Sequence, residues 1–78
     1  MDQIRAELIE ILTGKIDALE HLAFVMAGVA ADLRLQGGRP EADAVTLIVR
    51  AHRIEALRVR GELAACMFDP MNDADGMA

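Results

Sequence analysis

From Ile9 to Leu33, apolar residues recur at alternating spacings of four and three: Ile9, Leu12, Ile16, Leu19, Ala23, Met26, Ala30, Leu33. Such alternation is a heptad seam, with a at Ile9, Ile16, Ala23 and Ala30 and d at Leu12, Leu19, Met26 and Leu33. No proline interrupts residues 2–36, so the pattern predicts one long helix with Asp2 as its N-cap. Leu8, Leu22 and Val29 at position g, with Ile4, Ile11, Ala18 and Val25, widen the apolar side to about half the circumference. A single partner helix covers less than that. The opposite side carries Glu7, Glu10, Asp17, Glu20, His21 and Asp32, an acidic outer face.

Gly37-Gly38 ends the pattern, because glycine accepts the left-handed conformation that closes a helix. Pro40 suits the first turn of a second helix, and Glu41 and Asp43 favour its dipole. The chain thus reads as an all-α antiparallel two-helix hairpin over residues 1–68. Helix 1 runs over about 2–36 and helix 2 over about 40–68. Asp69-Pro70 stops the second helix, and residues 69–78 read as a flexible acidic tail.

Helix 2 is apolar on two sides. One heptad stripe is Val45, Val49, His52, Ala56, Val59, Leu63, Cys66, broadened by Ile48 and Met67. Another is Leu47, Ile54, Leu57, Gly61, Ala65, Phe68. A helix apolar on two sides needs two covers. The expected remedy is a homodimer in which two hairpins make a four-helix bundle. Its interface residues are expected to be Val45, Ile48, Val49, His52, Ala56, Val59 and Leu63, flanked by Arg50, Arg53 and Arg60. The alternative is that the second side receives a different protein.

Size points the same way. In 78 residues a single core seldom supplies more than ~3–5 kcal/mol, so small natural domains recruit disulfides, metals or partners. Cys66 is the only cysteine, which removes an intrachain disulfide and fits a reducing, cytoplasmic setting. Aromatic residues are 3% of the chain, with no Trp or Tyr. The core is therefore built from Leu, Ile, Val, Ala and Met, a palette for interdigitating helices. The longest apolar uncharged run, residues 22–31, is about half the ~20 residues that a membrane span requires.

Residues 50–60, RAHRIEALRVR, hold four arginines in a chain of net charge −5. Arg58 lies between Glu55 at i−3 and Glu62 at i+4 and is compensated within its helix. Arg50, Arg53 and Arg60 have no acid at those spacings. In a hairpin folded at the glycine pair, Arg60 falls level with Asp17, one turn from Glu20, and Lys15 falls level with Glu62. Interhelical ion pairing is the expected use of the cluster; docking of an acidic partner or a phosphate is the competing one. Direct nucleic-acid binding is disfavoured by thirteen acids against eight bases, by the lack of an aromatic platform and by the lack of a helix-turn-helix outline.

Other candidates are weak. His52 with Glu55 at i+3 is half a metal site. His21 pairs with Asp17 at i−4 as a solvated couple. Residues 71–76 lack the first carboxylate of a calcium loop and its distal glutamate. No metal, cofactor or catalytic constellation is expected.

The expected function is a small non-enzymatic regulatory or adaptor protein that binds another protein through a helix face. The expected contacts are Glu7, Glu10, Asp17, Glu20 and Asp32, with Phe24 and Leu35 as apolar anchors on a polar face. A second possibility is a small acidic antagonist, of phage or mobile-element type, occupying the basic groove of a nucleic-acid-binding protein. A third is a helical-bundle enzyme or carrier that holds an anion with Lys15, Arg50, Arg53 and His52 at a dimer interface.

Overall fold

The structure is a computed structural model that describes residues 2–68; the expected tail at 69–78 lies outside them. Two helices make up the fold, α1 at Asp2–Leu35 and α2 at Arg39–Met67. Each boundary is within one residue of the sequence expectation. Among the described residues there is no strand.

The turn closes as the glycine pair requires. Gly37 has φ +85°, where a Cβ would be strained. The Gly38 N–H donates to the Leu33 carbonyl at 2.8 Å and the Gly37 N–H to the Arg34 carbonyl at 3.2 Å. These two bonds form a Schellman motif, which satisfies carbonyls left open at the end of α1. Gly38 is then the N-cap of α2, with Pro40 in the first turn and no side-chain cap. Its carbonyl accepts the Ala42 N–H at 2.9 Å. One glycine ends a helix and its neighbour begins the next.

The two heptad seams face each other. Leu12, Ile16, Ala23 and Ala30 of α1 are buried, as are Ala42, Val49, Ala56 and Val59 of α2. Ile9, Leu19, Met26 and Leu33 are half-buried between them. The α2 stripe reaches back to Ala42, which the sequence reading did not include. Ile48 and Met67, expected to broaden that stripe, are 42% and 59% exposed. Four of the eight buried side chains are alanine, so the helices approach closely while burying little side-chain volume. The extents of 60 × 25 × 12 Å describe a slab one helix thick. Such a slab has two broad open faces.

A contact across the open end completes the fold. The Arg5 Nε donates to the Cys66 carbonyl at 2.7 Å, and Nη2 donates to the Phe68 carbonyl at 3.1 Å. α2 has no basic residue in its last turn. Arg5 therefore supplies from α1 the donors and positive charge that a helix C-terminus favours.

Candidate interaction surfaces

Heptad position sorts the remaining side chains onto the two faces of the slab. Antiparallel pairing sets position g of α1 beside position g of α2 on one side of the seam, and e beside e on the other. The ion pairs report this directly. Lys15 and Glu55, both g, lie 3.8 Å apart. Glu20 and Arg60, both e, are hydrogen-bonded. Arg34, also e, donates to Thr46 at 3.0 Å.

The g-side face is largely apolar. From α1 it presents Ile4, Leu8, Ile11, Leu22, Val25 and Val29, at 42–69% exposure, and from α2 it presents Ile48 at 42%. Its central charges are joined to one another. Arg58 donates to both Glu55 oxygens, at 2.7 and 2.6 Å, and to Glu62, while Lys15 shares Glu55. The hydrogen bond from Arg58 holds the Glu55 carboxyl below its ordinary value, and Glu55 raises the Arg58 guanidinium further above its own. Two cations and two anions cancel here.

Register accounts for the differences from the expected pairs. Arg60 takes Glu20 and not Asp17, because side chains lean toward the N-terminus of their own helix. In antiparallel helices that lean brings these two together. Lys15 lies 3.8 Å from Glu55, two turns nearer the hairpin turn than Glu62, and so shares the carboxylate that Arg58 also holds.

The e-side face is mixed, and it contains a groove of about 460 Å³. Ala23 and Ala56 form its floor, Phe24 and Leu57 its apolar walls, and Glu20, Arg53 and Arg60 its rim. Small residues at facing seam positions leave the depression, and the exposed Phe24 (76%) and Leu57 (68%) stand beside it. Arg60 is neutralised by Glu20. Among the described residues no carboxylate lies within ion-pair distance of Arg50 or Arg53.

The residues expected to form the dimer interface divide by this geometry. Val49, Ala56 and Val59 are buried against α1 of the same chain, with Val45, His52 and Leu63 half-buried beside them. Ile48 lies on the g-side face; Arg53 and Arg60 border the groove, and Arg50 is exposed on the same side. Of the expected partner contacts, Glu20 and Phe24 line the groove. Glu7, Glu10, Asp17 and Asp32 are exposed along the outer side of α1, and Leu35 is 86% exposed at the turn.

His52 is spent locally: its Nδ1 carries the proton and donates to the Ile48 carbonyl at 2.9 Å. Glu55, its expected companion at a metal, is held by Arg58 and Lys15. Among the described residues no three His, Cys, Asp or Glu side chains gather as a metal site. Lys15 lies on one face and Arg50 and Arg53 on the other, so one hairpin does not bring them together. No described helix is long and apolar enough to cross a membrane. The sequence reading missed the groove and the Arg5 contact. Phe24 and Leu57 both occupy position b, which was the available signal for the first.

Compared with protein-family models, with curated proteins and with solved structures, the chain has no significant match to any of them.

Proposed function

We propose that the chain is a non-enzymatic protein-interaction module, in which two hairpins dimerise through their g-side faces into a four-helix bundle and the e-side grooves receive another protein. The observation that carries this reading is the difference between the two faces. One is a largely apolar surface whose central charges cancel one another, the character of a buried interface. The other has an apolar depression beside two arginines with no carboxylate partner among the described residues. That combination fits an amphipathic helix that inserts an apolar anchor and sets acids over Arg50 and Arg53. An exposed apolar surface of this size on so small a chain calls for a cover.

The test is an NMR titration with a synthetic amphipathic helix bearing a leucine anchor between glutamates. Shifts centred on Phe24, Arg53 and Leu57 support the groove as the docking site. Binding elsewhere, or none at millimolar peptide, rejects it.

A second reading rests on Glu7, Glu10 and Asp17, which are exposed on α1 and in no ion pair among the described residues. An acidic ridge of this kind suits the basic groove of a nucleic-acid-binding protein. That reading requires salt-sensitive binding to an arginine-rich peptide, abolished by changing the three acids to Gln or Asn. The peptide above, acidic itself, separates the two.

A further inference from the structure

We infer that the second copy lies antiparallel along α1, with each residue i of the stripe opposite residue 33−i of its partner. This inference rests on the bundle reading and specifies its geometry. The stripe on the g-side face runs Ile4, Leu8, Ile11, Lys15, Ala18, Leu22, Val25, Val29, at spacings of four, three, four, three, four, three and four. That series reads the same in both directions. Reversed on itself it sets Ile4 opposite Val29, Leu8 opposite Val25 and Ile11 opposite Leu22, with Lys15 opposite Ala18 at the centre. An interface about a two-fold axis must be self-complementary in this way.

The stripe also lies at the right angle. Position c and g residues point roughly 110° from the seam that holds α2, at 100° per residue around the helix. Adjacent neighbours in a four-helix bundle are separated by about a right angle. α1 therefore presents one edge to α2 and the next to a second α1. At their stated exposures, the seven large apolar side chains of this face present on the order of 700 Å² per protomer, against ~800 Å² per partner in a standard interface.

Charge decides against the other two-fold arrangement. Stacking α1 over the partner's α2 would place Ile11 near the level of Glu62 and set apolar surface against the charged half of α2. In the antiparallel arrangement α2 faces α2, and the network of Lys15, Glu55, Arg58 and Glu62 meets its own copy near the axis. The network carries no net charge, so the two copies meet without like-charge excess. Lys15, the single charge in the stripe, is drawn off it toward Glu55.

The experiment is a pulsed electron–electron distance measurement on the full chain carrying Cys66→Ser and Leu35→Cys, with a nitroxide at position 35. The antiparallel register puts the two turns at opposite ends, about 55 Å apart at 1.5 Å per residue. A distance of about 20 Å, set by bundle width alone, would overturn it. The register is read separately from an Ile11→Cys/Leu22→Cys chain in the same Cys66→Ser background. Disulfide-linked dimers from this chain, and none from either single variant, are expected; equal cross-linking by Ile11→Cys alone would contradict the 33−i pairing. Light scattering on the same samples separates the failures: a monomer rejects the bundle, whereas a dimer with the wrong distances rejects only the geometry. Retention of the helical circular dichroism shows that each variant is folded.

Discussion

The guanidinium of Arg5 reaches from the first helix to the end of the second, its Nε donating to the Cys66 carbonyl at 2.7 Å. Sixty-one residues separate the two, so this contact fastens the open end of the hairpin as Gly37 and Gly38 fasten the closed end. Arg5→Gln removes the charge at a helix C-terminus and one or both hydrogen bonds, at a cost of about 1 kcal/mol. The loss should be local. Hydrogen exchange is expected to quicken at residues 63–67 and to stay unchanged near the turn; uniform quickening would show that the contact does not hold that end in particular.

The glycines separate by conformation. Gly37, at φ +85°, resists any side chain, and Gly37→Ala is expected to cost about 1 kcal/mol. A Cβ on Gly61 meets nothing within 4 Å, and its helical backbone suits alanine. Gly61→Ala is expected to add roughly 0.5–1 kcal/mol by reducing the freedom of the unfolded chain. Urea unfolding of the two variants should move the midpoint in opposite directions.

Acid should weaken the fold in part through Glu55. Its carboxyl is held below the ordinary value of 4.5 by the hydrogen bond from Arg58, so the folded state releases this proton more readily than the unfolded state. The stabilisation is present above about 4.5 and is lost as pH falls through the lowered folded value. Thermal melts from pH 6 to pH 3 should therefore show a decline that shrinks in Glu55→Gln. An identical decline in the variant would assign the acid limb to other groups.

Glu20 and Arg60 form an exposed pair, with side chains 47% and 53% accessible, so its coupling should be modest, about 0.2–1 kcal/mol. Charge reversal at either residue alone is expected to destabilise. The double reversal Glu20→Arg/Arg60→Glu should recover most of the loss, and a double-mutant cycle with no coupling would show the pair to be incidental.

The hairpin was legible in the sequence because its signals are local and periodic. The heptad spacing from Ile9 to Leu33 named the buried edge of α1, and Gly37-Gly38 named the turn. Arg58 between Glu55 and Glu62 was legible for the same reason, since all three lie on one helix. What escaped depends on contacts across the seam. Arg5 meets Cys66 only after the chain reverses, and the choice of Glu20 over Asp17 by Arg60 depends on which way side chains lean. The groove arises because Ala23 and Ala56, each unremarkable on its own helix, come to face each other. That Val49, Ala56 and Val59 are covered by α1 of the same chain while Ile48 stays exposed likewise cannot be seen until the seam is occupied.

The central claim is that the apolar g-side face is covered by a second copy. Light scattering on a sizing column, from about micromolar to about millimolar protein, tests it most directly. The expected result is twice the 8.4 kDa chain mass across that range, lowered to the chain mass by Leu22→Asp on the exposed stripe. A folded species of 8.4 kDa at millimolar concentration would contradict the claim and leave Ile4, Ile11, Leu22 and Val25 open to a different protein.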